Sequence, residues 1–338
     1  MSIVCLLSRF SILFQGQKRI SLLSHMRKRI VLFCLVLAFS LIFSLKSYGK
    51  GRHDPFPSDV HVILVGFDGW GSYCFPKADM PVLKRMMEQG SWTLKKRSVL
   101  PSSSAPNWAA MFMGASPEIH GYSEWNSQVP EIPSMVVTEH QIFPTISHLL
   151  CKQKKNVEIG LFCHWNGIKY IADTLSINRV SCLPVGKRED WSSAVTDSVR
   201  KYIMDKRPTL CTVVYDYPDH FGHSSGFDSE DYYESLKVLD ESLGLIIQTV
   251  KDAGIYDKTI FVITSDHGGV DKTHGGKTLK EMETPFVIFG NNIKKGFKIS
   301  DSMMQYDVAA TIAYIFGLDM PQVWIGRPIY SVFERIRN

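Results

Sequence analysis

Six side chains of the kinds that bind metal ions lie on three separated segments of this 338-residue chain. They are Asp68, Asp219, His223, Asp266, His267 and His274. Carboxylate oxygens and imidazole nitrogens are ligands of zinc. Two such ions roughly 4 Å apart stabilise both the attacking and the leaving oxygen of a displacement at phosphorus. Divided three and three, the six ligands leave each ion an open position, so the set predicts a two-metal hydrolytic centre.

Each of these segments follows a short apolar run. The runs are His61–Phe67, residues 210–217 and Thr259–Thr264. Short, nearly continuous hydrophobic runs bounded by turn residues are typical of buried parallel strands. Ligands of open α/β sheets gather at the carboxyl ends of such strands. The spacing therefore predicts one site rather than three.

Ser104 is the candidate nucleophile. It lies in residues 100–107 (LPSSSAPN), before a helical pattern at residues 108–114. Metal coordination can hold a serine hydroxyl as the alkoxide, and Pro106 suits the first turn of a helix whose amides favour an anion. Asn107 can add a side-chain donor to the developing phosphoryl charge. Taken alone, this segment is weak evidence, because a serine-rich stretch before a proline is usually a loop or a helix cap.

Together these motifs resemble the alkaline phosphatase superfamily, and most closely its type I phosphodiesterase and nucleotide pyrophosphatase branch. The matching pieces are GFDGWG at Asp68, PSSSAPNWAAMFMGASPEIHG at Ser104, YPDHFGH at Asp219, SDHGGVDKTHGG at Asp266, and the late segment QYDVAATIAYIFGLDMPQVWIGRP. The resemblance covers about residues 60 to 330, and the ordered combination is far more specific than any one motif.

The resemblance implies two zinc ions, with other divalent metals as alternatives. One ion is held by Asp219, His223 and His274, and the other by Asp68, Asp266 and His267 with Ser104. Ser104 attacks the phosphoryl group, and water then hydrolyses the phospho-serine intermediate. Asn107 and the Ser104 amide bind the phosphoryl oxygens. The implied substrate is a small phosphate ester or nucleotide-like molecule.

Several functions stay open at this point. The short step from His267 to His274 resembles bacterial members and the glycolipid ethanolamine-phosphate transferases more than the nucleotide pyrophosphatases, which usually use threonine as nucleophile. A phosphodiesterase or pyrophosphatase is favoured, with a phosphomonoesterase or phosphoethanolamine-type transferase as the alternative. A secreted binding protein with a degenerate site is the non-enzyme alternative. A sulfatase is disfavoured, because Ser104 lacks the arginine of the C/S-x-P-x-R pattern.

Aromatic residues next to these segments are candidates for a substrate pocket, although aromatic side chains more often simply pack. They are Trp108, Tyr122, Trp125, Trp165 and Tyr217.

The first 49 residues predict export. Arg27, Lys28 and Arg29 precede an apolar run at residues 30–45, followed by Lys46 and a small-residue exit that ends at Gly49. This order is typical of a secretory signal, with an uncleaved anchor as the alternative and Met26 as a possible true start. We expect a catalytic domain at residues 50–338 of a periplasmic, secreted or membrane-anchored protein, with a membrane contact only where the segment is uncleaved.

Charge supports the same division. Residues 1–49 hold seven Lys or Arg and no Asp or Glu, so removing them takes the formal net charge from +5 to −2. A near-neutral domain gives no electrostatic reason to expect nucleic-acid binding.

The domain is predicted to be a doubly wound, mainly parallel α/β sheet with helices on both faces. Further strands are expected at residues 157–162 and 285–289, and a helix at residues 228–252. Five cysteines follow Gly49, so at least one is unpaired or intermolecular, and Cys163 with Cys182 is one candidate bridge.

Overall fold

The computed structural model describes residues 55–184 and 192–337. Within it, Pro55–Arg337 form one compact unit. The predicted signal segment, its cleavage after Gly49 and the domain boundary at residue 50 lie outside the described residues.

Eight strands in the described residues form one mixed sheet. They are β1 His61–Phe67, β2 Gly90–Arg97, β3 Ile159–Cys163, β4 Arg179–Cys182, β5 Leu210–Tyr215, β6 Thr259–Thr264, β7 Glu283–Gly290 and β8 Phe297–Lys298. Their order is β4-β3-β5-β1-β6-β7-β2-β8. The five strands from β4 to β6 are parallel, β7 is antiparallel to both of its neighbours, and β8 runs parallel to β2.

Helices cover both faces of this sheet. The α-helices are α1 Pro81–Glu88, α2 Ser104–Met113, α3 Pro117–His120, α4 Ile146–Gln153, α5 Ile168–Ile171, α6 Ser193–Lys206, α7 Asp219–Ser225, α8 Glu230–Asp252, α9 Leu279–Met282 and α10 Asp307–Phe316. Alternate residues of β1 enter opposite cores: Val62 and Leu64 pack in the core that contains α2, α4 and α10, whereas Ile63 and Val65 pack in the core that contains α1, α6 and α8. Two buried faces explain why the strands read as continuous apolar runs.

The fold prediction is confirmed: the sheet is mainly parallel and has helices on both faces. The helix expected at residues 228–252 is α8, where the Ser229 hydroxyl caps the first turn by accepting from the Tyr232 amide. The strands expected at residues 157–162 and 285–289 are β3 and β7. The strands β2, β4 and β8 were not predicted, because they are short, at the edge of the sheet or interrupted by charged residues.

The structure pairs Cys163 with Cys182 across the neighbouring strands β3 and β4. Within residues 55–184 and 192–337, Cys74, Cys151 and Cys211 form no disulfide. Among the described residues, no helix has both the length and the apolar composition needed to span a membrane.

Candidate metal centre

The three metal-type segments meet at one edge of the sheet. β1 lies between β5 and β6, and the register pairs Phe67 with Tyr215 and Gly66 with Thr264, so the three strands end at nearly the same level. The backbone holds the segments that follow. The Asp219 amide donates to the Asp68 carbonyl at 3.0 Å, and the Gly69 amide donates to Asp266 Oδ1 at 3.0 Å. Strand order therefore brings together residues that are far apart in the chain.

The six side chains form two groups. We call Asp68, Asp266 and His267 the inner cluster and Asp219, His223 and His274 the outer cluster; the ligand atoms of each lie within 4.8 Å of one another. All three inner residues are buried, whereas His223 is exposed at the mouth of the site. The rings of His267 and His274 stack with their centroids 3.8 Å apart, so the two clusters are in direct contact.

Distances in the inner cluster are short. Nε2 of His267 lies 3.5 Å from Asp68 Oδ1 and 3.3 Å from Asp266 Oδ2. The second carboxylate oxygen of Asp68 accepts a hydrogen bond of 3.0 Å from the Trp108 indole. The Trp108 indole therefore holds Asp68 in place, while Asp68 Oδ1 faces the other residues of the inner cluster.

In the outer cluster, Nε2 of His223 lies 3.3 Å from Asp219 Oδ2 and 3.1 Å from Nε2 of His274. Nε2 of His274 is also 3.8 Å from Asp219 Oδ1. Two imidazole nitrogens and a carboxylate oxygen therefore converge on one point.

All three histidines use their other nitrogen in the same way. Nδ1 of His223 hydrogen-bonds the carbonyl of Lys272, and Nδ1 of His274 that of Ser102. Nδ1 of His267 bonds the carbonyl of Gly268. A carbonyl accepts only from a protonated nitrogen, so in the neutral ring the free lone pair is on Nε2. Backbone contacts of this kind orient metal-ligating histidines and fix their tautomer.

Burial perturbs the ionisation of the inner cluster. Desolvation, together with the charges of Asp266 and Asp219, raises the pKa of Asp68 well above its usual range. Desolvation raises the pKa of Asp266 to about 8 and lowers the pKa of His267 to about 3. Without a cation, the fold therefore keeps these carboxyl groups protonated and the imidazole neutral near neutral pH.

In the outer cluster, the pKa values of the two histidines shift in opposite directions. The hydrogen bond to Asp219 raises the pKa of His223 to about 9. Burial lowers the pKa of His274 to about 3. A bound divalent cation would reverse the penalty on the carboxylates, because its charge favours their ionised form.

Two buried oxygens support the fit of a metal to these residues. Asp219 Oδ1 and Asp266 Oδ2, one in each cluster, make no hydrogen bond within residues 55–184 and 192–337. Buried polar atoms usually have a hydrogen-bond partner. An oxygen without one that faces two other ligand atoms is therefore suited to bind a cation. The mixed nitrogen and oxygen donors suit zinc better than magnesium or calcium, which prefer oxygen ligands.

Ser104 lies beside the inner cluster. Its Oγ is 3.2 Å from Nε2 of His267 and 3.4 Å from Asp68 Oδ1. The residue begins α2, where helix amides carry partial positive charge. The neighbouring Ala105 amide donates to the carbonyl of Trp125, which places the start of the 125–137 segment next to Ser104.

Asn107 requires a correction. Its side chain is fully buried, its Oδ1 accepts from the Val99 amide, and its Nδ2 donates to the carbonyls of Val99, Pro101 and Ser103. All of its polar atoms are used by the loop that precedes Ser104. Asn107 therefore shapes the nucleophile loop and has no donor left for phosphoryl oxygens.

The aromatic pocket prediction also needs correction. Trp108, Tyr122 and Tyr217 are buried in the two cores, so they present no ring face to a ligand. Trp165 is partly buried against the core. Trp125 is 59% exposed and lies beside the start of α2, so it alone of the five combines an exposed ring with a backbone contact to the residue after Ser104.

The sequence interpretation missed two residues beneath the inner cluster. The fully buried Lys96 donates from Nζ to the Ser265 carbonyl at 2.8 Å and to the side chain of Gln305. Gln305 Nε2 donates to the carbonyls of Ser265 and Asp266, both at 3.2 Å. Burial lowers the pKa of Lys96 to about 7. These side chains hold the backbone that carries Asp266, and no local motif marks either of them.

The fold and the paired clusters define a member of the alkaline phosphatase superfamily. Residues 62–286 match the model of the type I phosphodiesterase / nucleotide pyrophosphatase family, and the chain belongs to that family.

Curated proteins and solved structures are similar to this chain. The chain is 24% identical over 219 residues to ectonucleotide pyrophosphatase/phosphodiesterase family member 7 of Rattus norvegicus, covering 61% of this chain and 49% of that protein. It is 28% identical over 127 residues to GPI ethanolamine phosphate transferase 1 of Saccharomyces cerevisiae, covering 32% and 14%. The solved structure of an inactive murine ectonucleotide pyrophosphatase/phosphodiesterase 5 in complex with AMP superimposes with a TM-score of 0.60 at 17% identity, covering 78% and 96%. The chain thus spans about half the length of the rat relative.

Proposed function

We propose that this protein is a metal-dependent phosphoric ester hydrolase of the phosphodiesterase or nucleotide pyrophosphatase type, with Ser104 as its nucleophile. One observation carries the proposal: Ser104 Oγ lies 3.2 Å from Nε2 of His267 and 3.4 Å from Asp68 Oδ1, at the start of a helix. A hydroxyl within reach of metal-type ligands and helix amides is suited to attack at phosphorus.

The inner cluster would hold one divalent ion and the outer cluster another, with zinc favoured by the donor types. When bound, such ions supply Lewis-acid stabilisation of phosphoryl oxygens and favour the deprotonated serine. The protein residues do the positioning. Trp108 fixes Asp68, and the carbonyl of Ser102 in the nucleophile loop orients His274.

In the proposed reaction, Ser104 Oγ forms a bond to phosphorus as the bond to the leaving oxygen breaks, and the serine proton ends on the alcohol that is released. Water then cleaves the phospho-serine, which releases a phosphate monoester and restores the hydroxyl. The exposed ring of Trp125 is available for the organic part of the substrate. A nucleotide-like group is one candidate, since a structural relative was solved with AMP.

A diester is favoured over a monoester. The buried amine of Lys96 is committed to Ser265 and Gln305, and burial lowers its pKa to about 7, so it does not supply a fixed positive charge to a bound substrate. A terminal phosphate would therefore bring a second negative charge that Lys96 does not neutralise.

The decisive experiment compares hydrolysis of bis-p-nitrophenyl phosphate and p-nitrophenyl phosphate by the zinc-loaded protein and by Ser104→Ala. We expect diester turnover that falls at least about 1000-fold in Ser104→Ala, since removing a nucleophile costs this much or more. The matched control is Ser103→Ala, because the Ser103 side chain makes no capping hydrogen bond to α2 and the variant should retain turnover.

Equal activity of wild-type protein and Ser104→Ala would refute the nucleophile. A preference for the monoester would move the assignment to a phosphatase. Bound metal without turnover of either ester would favour a binding protein.

A transferase is the second candidate, because the yeast ethanolamine phosphate transferase matches part of this chain. Adding an alcohol such as ethanolamine to the diester assay separates the two functions. A transferase would give the phosphorylated alcohol as main product, whereas a hydrolase would give the free monoester.

We further propose that residues 1–49 direct export and that residues 50–338 form the catalytic domain. Intact-mass analysis of the protein recovered after export tests this. A mass that begins at Lys50 supports a cleaved signal, and a mass that retains the apolar run supports an anchor.

A further inference from the structure

A third group of metal-type side chains lies outside the Ser104 centre and has no role in the proposed reaction. It consists of His140, His148 and Asp173. His140 is in the irregular segment before α4, His148 is in the first turn of α4, and Asp173 precedes a short 3-10 helix at Thr174–Ser176. One ligand atom from each lies within 4.8 Å of the others.

Both histidines direct the same ring nitrogen towards the carboxylate. Nδ1 of His140 hydrogen-bonds both oxygens of Asp173, at 2.9 and 2.8 Å, so it carries a proton that a bound cation would displace, and Nδ1 of His148 lies 3.3 Å from Oδ2. The imidazole rings are nearly perpendicular, with centroids 5.4 Å apart. Two nitrogens and an oxygen thus converge from three separate pieces of backbone.

Burial makes this arrangement costly without a further partner. Asp173 is 2% exposed and His148 is 8% exposed. Although it is near Asp173, Nδ1 of His148 is buried and makes no hydrogen bond within residues 55–184 and 192–337. A buried nitrogen without a hydrogen bond loses its hydration with no compensation, unless its lone pair binds a cation.

The contacts around the group agree with a metal-ligating role. Glu139 Oε2 lies 3.7 Å from Nε2 of His148, at the other nitrogen of that ring, and Glu139 is itself paired with Lys152. A carboxylate on that side favours the proton on Nε2 and leaves Nδ1 free to bind. Ser176 Oγ donates to Asp173 Oδ2 at 2.7 Å and holds the carboxylate in place.

We propose that His140, His148 and Asp173 bind a further divalent transition-metal ion of the zinc type, separate from the Ser104 centre. Two imidazole nitrogens with one carboxylate suit zinc and its neighbours, whereas magnesium and calcium prefer oxygen. Water can complete a tetrahedral shell. The ion cross-links the segment before α4, α4 itself and the turn at residues 172–176. The segment before α4 begins near Trp125, beside the nucleophile. The ion therefore secures the other end of this segment, next to α4.

The first test measures bound zinc per chain by elemental analysis after dialysis against zinc-free buffer. We expect the double variant His140→Gln/His148→Gln to retain one ion fewer than the wild-type protein. His61→Gln is the control, since His61 belongs to none of the three groups and bonds the Pro208 carbonyl through Nδ1, so its loss should not change the content. Because the readout is a difference, it does not depend on how many ions the Ser104 centre holds. Equal content in a folded double variant would overturn the proposal.

The second test uses the unaltered protein, so it does not depend on the folding of a variant. Crystals grown with zinc should give an anomalous peak at the zinc edge, about 2.0 to 2.1 Å from Nδ1 of both histidines. No peak at this position would mean that His140, His148 and Asp173 form only a hydrogen-bonded network, and the proposal would be wrong.

Discussion

Chemistry at the centre depends on which atom of each side chain is free. The Nδ1 atoms of His223, His267 and His274 are occupied by backbone carbonyls, so Nε2 is the available nitrogen in each ring. The types of these residues are visible in the sequence, and so is their order. The tautomer is not, because it is set by carbonyls that only the fold brings near.

Trp108 is a second case in which the sequence indicated the right neighbourhood and the wrong role. The indole was predicted to line a pocket, but it is buried and donates to Asp68 Oδ2 at 3.0 Å. Trp108→Phe should therefore lower kcat/KM about 10- to 100-fold, the usual effect of removing a contact that orients a metal ligand. Steady-state kinetics with the diester and bound-metal analysis measure this.

Trp324→Phe is the control for that substitution. It removes a comparable buried indole hydrogen bond, of 3.0 Å to the Pro144 carbonyl, away from the clusters. A similar loss of activity in both variants would show that general destabilisation, rather than the orientation of Asp68, explains the effect.

Asp266→Asn should affect stability in opposite directions with and without metal. In the metal-free protein the pKa of Asp266 is raised to about 8, against an ordinary value of 3.8. The unfolded chain therefore releases this proton first, and folding becomes less favourable as pH rises from 3.8 to 8. Each unit of such a shift corresponds to about 1.4 kcal/mol.

At about pH 3 the carboxyl group is neutral in both the folded and the unfolded chain, so Asp266→Asn should change the metal-free stability little. Near pH 9 the neutral amide should make the metal-free variant more stable than the wild-type protein, and with zinc the order should reverse because a ligand is lost. Urea unfolding with chelator and with zinc at both pH values tests this. If Asp266→Asn were less stable than the wild-type protein at both pH values, with chelator and with zinc, the expected repulsion among the buried carboxylates would be contradicted.

At the scale of elements, the end of β1 is where the backbone comes closest to the site. Gly69 has φ of +71°, a conformation that suits glycine, and a Cβ there would lie 2.7 Å from both Cβ and Oδ1 of Asp219. The sequence indicated a turn after β1. It did not indicate that the missing side chain leaves room for a ligand from the segment after β5, because that contact depends on strand order.

Gly69→Ala should therefore displace Asp219 and release metal from the outer cluster. Gly254→Ala is a matched control, since Gly254 has φ of +72° and no atom within 4 Å of an added Cβ. Both substitutions should cost about 1 to 2 kcal/mol through the left-handed backbone. Only Gly69→Ala should also lose bound zinc and diester turnover. Equal metal content in the two variants would show that Asp219 adjusts without cost.

At the scale of the whole molecule, the order β5-β1-β6 explains why one centre forms from three distant segments. These strands were predictable because burial on both faces makes them uniformly apolar. The other half of the sheet was less predictable. β2 ends in three consecutive basic residues, Lys95 to Arg97, and the antiparallel direction of β7 has no local signal. Lys96, which supports Asp266 from β2, was missed for the same reason.

Removing the bridge between Cys163 and Cys182 tests whether the metal centre depends on the edge of the sheet formed by β3 and β4. The bridge joins β3 to the edge strand β4, whereas the clusters follow β5, β1 and β6. The bridged residues are 19 apart in sequence, and closing a loop of about this length stabilises a protein by roughly 3 kcal/mol. Replacing both cysteines with alanine should therefore lower the free energy of unfolding by about that amount. Turnover under native conditions should not change.

Urea unfolding and the diester assay measure the two effects, and Cys151→Ser controls for loss of an exposed thiol that is not bridged. If turnover falls together with stability, the β3–β4 edge must help to position the clusters, because β3 is the direct neighbour of β5. If only stability falls, the three central strands hold the ligands without the edge. We expect the second result, because every hydrogen bond described between the ligand segments joins residues that follow β1, β5 and β6 or lie in the nucleophile loop.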